Sequence, residues 1–261
     1  MKLNKIDLKK TTYSLIDTFL RAGKLAKEIA HRGVKVTIKP DNTPVSNGDL
    51  LVDQLLREKI ENLTPNIPII SEETVNIGEE NKHKNFWLID PIDGTKDYIK
   101  KKDEYTLNAA LIINLEPSLG MIYAPEKGRL FYSYGSGNAF ELRDTKIIPL
   151  NCDKKTEKGK VFALHNSSTV TPDIASVHKE NNVFSCIKMS SSLKFCVIAA
   201  GEADLYIAGP RAYEWDIAAG HAIVQHAGGY FTTAGRKKLF YGKKDYKNPG
   251  IMVKRSNNLF E

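Results

Sequence analysis

Two carboxylates follow an apolar stretch in the middle of the chain, where the sequence reads WLIDPIDGT. Ligands of α/β proteins collect at the carboxyl ends of strands. The proline and the glycine predict a tight turn that aims Asp90 and Asp93 at one point and exposes the carbonyl of Ile92. Hard cations prefer such an all-oxygen arrangement. The amides of Gly94 and Thr95, if they open a helix, suit a phosphate group.

Other carboxylates stand beside further apolar runs. Glu72 and Glu73 follow a short apolar stretch, while Asp49 and Asp216 each lie at the start of a predicted helix. Each acid alone has a structural alternative: Glu72 as a solvated strand end, the helix-start acids as partners of the macrodipole, and Asp93 as an N-cap. Together, four acid clusters at the ends of elements fit a site for several Mg²⁺ ions better.

Apolar periodicity predicts the elements that must position these acids. Helical spacing runs from Leu8 to Ala30, and a second helix begins at Ser46–Asp49 with its buried side reaching Leu63. Short apolar runs bounded by Gly, Pro, Asn or charged residues predict strands. These strands are expected at residues 67–70, 86–89, 107–115, 121–124, 130–134 and 139–142.

Beyond a polar, lysine-rich segment at Asp153–Lys160 the pattern changes to alternating strands and helices, which is typical of an α/β fold. Strands are predicted at residues 161–164, 183–187 and 205–207, and helices at residues 191–200 and 215–226. We therefore predict two halves. Residues 1–150 form an N-terminal α+β half with most of the acids, and residues 151–261 form a C-terminal α/β half that carries Asp216.

The composition is that of a globular protein of 261 residues, 41% hydrophobic and 26% charged, with a formal net charge of +7. That charge attracts anions but is modest for a nucleic-acid-binding protein of this length. Three cysteines without a CxxC pair give no support to a zinc ribbon and are typical of reduced thiols. The N-terminus has no signal-peptide core, and no apolar stretch approaches the ~18 residues of a spanning helix. We expect a cytoplasmic protein, with peripheral attachment at the inner face of the cell membrane left open.

Three histidines lie in or beside the predicted C-terminal elements. His221 and His226 share one helix at a spacing of i, i+5, which places them on different faces, so we interpret both as structural. His165 follows a predicted strand and stays an open candidate for a pocket residue.

Several segments resemble the inositol monophosphatase superfamily of Mg²⁺-dependent, lithium-sensitive phosphatases. DPIDGT at residues 90–95 and WDIAAG at residues 215–220 are similar to its two signatures, and the SEE that ends at Glu73 matches its upstream glutamate motif. TPVS followed by Asp49, GTKDYI after Asp93, and SSLKFC at residues 191–196 resemble the bacterial 3′(2′),5′-bisphosphate nucleotidase branch. Six such segments in one order are specific for the superfamily.

The resemblance implies a layered αβαβα sandwich with its site between two halves, commonly as a homodimer, and a role in sulfur metabolism. It also implies two or three Mg²⁺ ions held by side chains and one carbonyl, namely Glu72, Asp90, Asp93, Asp216 and the Ile92 carbonyl. We expect the four carboxylates to converge. Without metal, we expect them to form a cluster of unpaired carboxylates.

The same resemblance implies roles around these ligands. Asp49 and Thr95 would orient and deprotonate the attacking water, and the amides of Gly94 and Thr95 would hold the scissile phosphate. Ser191 and Lys194 match positions that contact the nucleotide. The apolar neighbours of Lys194 indicate partial burial, and the alternative is a lysine that reaches the surface along its own stem.

One departure concerns the nucleotide pocket. The nucleotidase branch usually carries an arginine where this chain has Ala208, and Arg211 lies nearby in a different register as the candidate replacement. The first hypothesis is a Mg²⁺-dependent phosphomonoesterase that converts adenosine 3′,5′-bisphosphate to AMP and phosphate. The alternative is an inositol-1-monophosphatase or another sugar-phosphate phosphatase.

A non-catalytic basic protein that binds RNA or membrane anions is a hypothesis of a different class. The sequence has no aromatic–basic repeat or nucleic-acid motif that would favour it, and the set of acids would have no purpose in it. We therefore expect a small phosphorylated substrate and no nucleic-acid partner.

Overall fold

The computed structural model describes residues 6–39, 42–78, 81–153, 159–166, 170–257 and 259. Most of the segment Asp153–Lys160, where the sequence predicts the boundary between the halves, lies outside the described residues. The α-helices in the described ranges are α1 (Leu8–Arg32), α2 (Asn47–Leu63), α3 (Thr95–Ile99), α4 (Pro172–Glu180), α5 (Leu193–Ala199) and α6 (Glu214–His226). The strands in the same ranges are β1 (Val36–Ile38), β2 (Pro44–Ser46), β3 (Ile69–Ser71), β4 (Phe86–Asp93), β5 (Thr106–Ile113), β6 (Glu116–Ala124), β7 (Arg129–Ser133), β8 (Ala139–Arg143), β9 (Lys146–Pro149), β10 (Val161–His165), β11 (Val183–Lys188), β12 (Leu205–Ala208), β13 (Tyr230–Thr233) and β14 (Ile251–Lys254).

Helices α1 and α2 pack on each other and cover one face of the larger sheet. Asp7 caps α1 by accepting a hydrogen bond from the backbone N–H of Lys10 at 2.9 Å. Ser46 and Asp49 form a capping box at the start of α2, which satisfies the first free amides of that helix. Both helices predicted from the periodicity are confirmed.

The larger sheet contains strands β3 to β9 in sequential order. Strand β3 is parallel to β4, and the following neighbours are antiparallel. Successive side chains of a strand point to opposite faces. In β4, Trp87 and Ile89 therefore enter the core beneath α1 and α2, while Phe86 and Leu88 enter a second core that includes α5 and α6. Burial on both faces explains why β4 reads as a continuous apolar run.

The smaller sheet has the order β11-β10-β12-β14-β13. Strand β10 is parallel to β11 and β12, and β14 is antiparallel to β12 and β13. Helices α5 and α6 lie between the two sheets, and α4 packs against β11. The layers therefore follow the order helix, sheet, helix, sheet, helix, and the predicted αβαβα class is confirmed. The sheets share the core around α5 and α6, and the division at residue 150 stays a prediction.

Helix α6 lies unusually close to its neighbours, and this fixes the position of its first turn. A Cβ built on Gly120 of β6 would lie 2.4 Å from the carbonyl oxygen of Ala219, and one built on Gly220 would lie 2.2 Å from the ring of Phe195. Only glycine allows both approaches. The tight packing holds the amino end of α6, with Asp216, beside the end of β4.

Several elements were not predicted from the sequence. They are the hairpin β1–β2, the strand β9, the helix α4 and the strand pair β13–β14. Three- and four-residue strands are too short to show a period of two, and β1 is exposed along its whole length. The three cysteines are free thiols, as predicted. In the described part of the chain, no helix combines the length and the apolar character needed to cross a bilayer.

Candidate active site

Three carboxylates from distant parts of the chain meet where β3 and β4 end. Glu72 directly follows β3, Asp90 lies in β4, and Asp216 lies in the first turn of α6. One oxygen of each carboxylate lies within 4.8 Å of the others. Asp90 is fully buried, and its Oδ1 has no hydrogen-bond partner. An unpaired buried oxygen that faces two further carboxylates fits a hard divalent cation such as Mg²⁺.

Asp93 and the cluster influence one another through charge. Burial, followed by the charges of Glu72 and Asp93, raises the pKa of Asp90. Burial and the charge of Asp93 raise the pKa of Asp216. Burial also raises the pKa of Asp93, against the effect of the nearby Lys194 ammonium. These carboxylates repel one another, and a bound divalent cation would relieve that repulsion.

The expectation that the acids are unpaired without metal is wrong for Glu72. Lys39 Nζ lies 3.6 Å from Glu72 Oε1 and 2.8 Å from Glu73 Oε2. Asp216 Oδ2 also accepts the backbone N–H of Tyr213 at 2.8 Å. The physical reason is that clustered negative charge attracts the nearest cation, and Lys39 directly follows β1, a strand that the periodicity did not reveal.

Asp49 and Thr95 form a hydrogen-bonded pair beside the cluster. The hydroxyl of Thr95 lies 3.0 Å from Asp49 Oδ1 and 3.1 Å from the carbonyl oxygen of Ile92. Asp49 Oδ2 accepts the backbone N–H of Ser46 at 2.8 Å and its hydroxyl at 2.5 Å. Asp49 is buried, which raises its pKa against the effect of these hydrogen bonds. The structure thus brings together two residues that lie 46 positions apart.

The predicted turn is an irregularity within β4 followed by a glycine. The register of β4 against β5 shifts between Asp90 and Asp93. Gly94 then has a φ of 95° and is the N-cap of the short helix α3. Only glycine adopts this conformation without strain. The alternative interpretation of Asp93 as the N-cap is therefore wrong. Asp93 instead lines the cavity of the site.

A cavity of about 160 Å³ adjoins the carboxylates. Its walls include two of the acids, Asp93 and Asp216, together with Ser191, Lys194 and Arg211. The cavity is therefore lined by both acids and cations. This distribution suits an anionic molecule that reaches from a metal site to a second anionic group.

Lys194 is buried, with 7% of its surface exposed. Its ammonium donates to the carbonyl of Ser191 and lies 5.0 Å and 5.4 Å from the ring centroids of Phe195 and Tyr206. Burial lowers the pKa of Lys194, and the charge of Asp93 opposes that change. The alternative of a lysine that reaches the surface along its stem is therefore wrong.

The sequence did not indicate two of the cavity residues, Asn166 and Tyr206. The amide of Asn166 donates to the hydroxyl of Tyr206 at 3.1 Å. These two residues are brought together by the pairing of β10 with β12. No local pattern in the sequence indicates that pairing. Asn166 lines the cavity, whereas its neighbour His165 is not among the lining residues.

The interpretation of His221 and His226 as structural is supported by their contacts. His221 Nδ1 lies 3.0 Å from the hydroxyl of Tyr241, and His226 Nδ1 lies 2.9 Å from the hydroxyl of Ser133. Burial lowers the pKa of His221 to about 3 and that of His226 to about 4, so both rings are neutral at pH 7.

A larger groove of about 780 Å³ lies where β3 and β4 begin, away from the carboxylates. Residues from the start of α1 and the end of α2 line it. Among its described lining residues, the only acid is Asp7, which already caps α1. Although this groove is larger, its described lining residues lack the acids expected of the active site.

The model of the inositol monophosphatase family matches residues 7–260. The chain therefore belongs to the inositol monophosphatase family, whose fold it shares.

Within this family, the chain is similar to bacterial 3′(2′),5′-bisphosphate nucleotidases. The 3′(2′),5′-bisphosphate nucleotidase CysQ of Aggregatibacter actinomycetemcomitans is 31% identical over 243 residues, which are 92% of this chain and 90% of that protein. Among solved structures, CysQ from Bacteroides thetaiotaomicron matches with a TM-score of 0.74 and 29% identity, over 94% of this chain and 97% of the other. An IMPase/NADP phosphatase complexed with Mg²⁺ and phosphate has a TM-score of 0.79 at 17% identity, over 95% of this chain and 92% of the other, and shows the same fold.

The charge repulsion in the cluster predicts a pH dependence of metal binding. Burial raises the pKa of Glu72 to about 7. Because the folded protein then holds this proton more tightly than the unfolded chain does, the site makes the metal-free protein more stable as pH falls from 8 to 6. Protons and Mg²⁺ compete for the same oxygens, so the rise in Tm caused by Mg²⁺ should shrink over the same interval.

Thermal denaturation at pH 6, 7 and 8, with and without Mg²⁺, measures both trends. The Glu72→Gln variant is the matched control, because it keeps the side-chain shape and removes the titrating group. A Mg²⁺-induced rise in Tm that stays constant from pH 8 to pH 6 in the unaltered protein would contradict the prediction.

Proposed function

We propose that this chain is a Mg²⁺-dependent phosphomonoesterase that converts adenosine 3′,5′-bisphosphate to AMP and phosphate. The observation that carries the proposal is the cavity that joins Asp93 and Asp216 to the cations Lys194 and Arg211. A substrate with two phosphates can place the scissile one at the acids and the other near the cations. The identity to curated 3′(2′),5′-bisphosphate nucleotidases supports the same substrate.

We propose that the metal ions are held by the predicted set of oxygens. The residues of that set are Glu72, Asp90, Asp93, Asp216 and, through its carbonyl, Ile92. Two or three ions fit so many oxygens. When bound, Mg²⁺ supplies charge neutralisation at the phosphate and lowers the pKa of water. Lys39 must release Glu72 for this carboxylate to serve as a ligand.

Asp49 and Thr95 are the proposed groups that act on the attacking water. The Thr95 hydroxyl donates to Asp49 Oδ1 and thereby leaves its own oxygen free to accept a hydrogen bond from water. Burial raises the pKa of Asp49, which makes its carboxylate a better proton acceptor. The pair can thus orient the water and move its proton away from the reacting phosphate.

The remaining predicted site residues serve to bind the substrate. The amides of Gly94 and Thr95 follow the turn at the end of β4 and are assigned to the scissile phosphate. Ser191, Lys194 and Arg211 line the adjoining cavity and are assigned to the nucleotide and its second phosphate. The homodimer and the cytoplasmic location, with or without attachment to the membrane, stay predictions from the sequence.

An inositol-1-monophosphatase, or another sugar-phosphate phosphatase, is the second candidate. The observation that favours it is that Ala208, not an arginine, lines the cavity, while Arg211 is exposed. An exposed cation holds an anion more weakly than a buried one, because water screens it.

A phosphate-release assay with Mg²⁺ tests the proposal. We expect kcat/KM for adenosine 3′,5′-bisphosphate to exceed that for inositol 1-phosphate by at least about 10-fold, the value of one charge-assisted hydrogen bond. The chelated enzyme is the control and should release no phosphate. Equal or reversed values for the two substrates would favour the second candidate.

The Thr95→Ala variant tests the proposed role of the hydroxyl. We expect kcat to fall about 100-fold, at the lower end of general acid–base effects, while KM changes little. The reason is that the variant misplaces the water and leaves the substrate contacts intact. Thr95→Ser keeps a hydroxyl and should recover most of the activity. Steady-state kinetics decide the matter, and a change confined to KM would refute the role.

A further inference from the structure

Three consecutive serines precede helix α5, and the first of them is held by acids from the other half of the chain. The backbone N–H of Ser190 lies 2.9 Å from Glu104 Oε2, and the Ser190 hydroxyl lies 2.8 Å from the same oxygen. The hydroxyl also lies 2.7 Å from Asp97 Oδ2. A hydroxyl has one proton to donate, so it bonds one carboxylate at a time. Glu104, which accepts from the backbone as well, is therefore the more constant partner.

The third serine is held by strand β5. The Ser192 hydroxyl donates to Asn108 Oδ1 at 2.6 Å and lies 2.8 Å from Thr106 Oγ1. In the register of the sheet, Thr106 lies opposite Asp93 and Asn108 lies opposite Asp90. The backbone N–H of Ser192 also donates to Asp93. The serine segment is thus bonded directly to the strand pair that carries two of the proposed metal ligands.

The middle serine, Ser191, lines the cavity together with Ser190. Ser191 has a φ of 50°, a left-handed conformation that is uncommon for residues other than glycine and costs energy unless its neighbours hold it. Its carbonyl accepts the ammonium of Lys194, and both residues line the cavity. The position of Ser191 and Lys194 therefore depends on how firmly Ser190 and Ser192 are held on either side.

We infer that Glu104 is a positioning residue for substrate binding: by holding Ser190, it keeps Ser191 and Lys194 in place in the wall of the cavity that also contains Asp93 and Asp216. This inference rests on the proposed function. Glu104 lies before β5 and does not line the cavity, so it acts through the serine segment and not on the substrate. It is also only half-buried, which makes its substitution tolerable for the fold.

We expect substrate binding to weaken when residue 104 can no longer accept hydrogen bonds from Ser190. Glu104→Ala removes the acceptor of two Ser190 hydrogen bonds, and KM for adenosine 3′,5′-bisphosphate should rise about 10-fold with a smaller change in kcat. Glu104→Gln keeps an oxygen that can accept both bonds and should restore KM to within about 2-fold. The matched control is Asp103→Ala, which removes a neighbouring charge that pairs with Lys127 and should leave KM unchanged.

Hydrogen exchange gives a readout that is independent of the substrate. The amide of Ser190 should exchange faster in Glu104→Ala than in the unaltered protein, and at the original rate in Glu104→Gln. Unchanged exchange in Glu104→Ala would overturn the inference whatever the enzyme hydrolyses. Faster exchange without a rise in KM would overturn it too, because the bond would then be structural only.

A failure of the proposed function is distinguishable from a failure of this inference. If the unaltered protein does not hydrolyse the bisphosphate, the proposed function fails, and KM is compared instead for the monophosphate that it does hydrolyse. A rise in that KM with rescue by Glu104→Gln supports the positioning role, and an equal rise in Asp103→Ala overturns it.

Discussion

The Asp93→Asn variant should lose at least about 100-fold in kcat, which corresponds to roughly 2.7 kcal/mol of transition-state stabilisation. The amide has the shape of the carboxylate but carries no negative charge, and Mg²⁺ prefers charged oxygen ligands. The charge of Asp93 raises the pKa of both Asp90 and Asp216. Removal of one charge therefore weakens the attraction for a divalent cation without opening a cavity in the core.

The same variant should fold normally. The Asp93 charge repels Asp90 and Asp216 but attracts the buried Lys194 ammonium, so its loss should change the stability of the metal-free protein little. The amide oxygen can still accept the backbone N–H of Ser192. Titration calorimetry with Mg²⁺, kcat and the metal-free Tm together test the prediction. Asp17→Asn, at an exposed position on α1, is the matched control and should leave all three unchanged. Full activity of Asp93→Asn at saturating Mg²⁺ would exclude its role as a ligand.

The second large effect concerns Lys194. Lys194→Ala should raise KM for adenosine 3′,5′-bisphosphate by roughly 10- to 100-fold, since one hydrogen bond to a charged group contributes about 1.5–3 kcal/mol. The lysine is buried, so water cannot screen its charge, and a phosphate in the cavity would replace the Ser191 carbonyl as its partner. KM for a monophosphate should change much less, because that substrate has no second phosphate to lose contact with.

Two further variants serve as comparisons for Lys194→Ala. Arg211→Ala removes the other cation of the cavity and should show the same preference with a smaller effect, because Arg211 is exposed. Lys146→Ala removes an exposed charge on the edge strand β9 and tests for long-range attraction alone. Equal rises in KM for the bisphosphate and the monophosphate in Lys194→Ala would show that the second phosphate is not bound there. The inositol-phosphatase alternative would then be preferred.

Local patterns in the sequence were sufficient for most of the frame of this protein. The helical period predicted α1 and α2, and the apolar runs predicted most strands of the larger sheet. These signals are local, because a buried face repeats along the chain and a glycine or proline ends an element at a definite residue. Gly94, which follows β4, was predictable as a break for the same reason, whereas the irregularity between Asp90 and Asp93 inside the strand was not.

The sequence also indicated which acids are candidates for the site. It did not indicate which side chains surround them. The meeting of Glu72, Asp90 and Asp216 depends on the close packing of α6, and the pairing of Lys39 with Glu72 depends on the hairpin β1–β2. Whether a charged side chain finds an ion, a lysine or water depends on neighbours far away in the chain.

The tertiary structure alone decided the character of the cavity. The sequence placed Lys194 on an apolar helix and left open whether its side chain was buried or reached the surface. The packing of the smaller sheet against α5 is what buries it. The bond between Glu104 and Ser190 joins residues 86 positions apart. No residue pattern of period two or 3.6 carries information over that distance, so contacts of this kind become known only when both halves of the fold are in place.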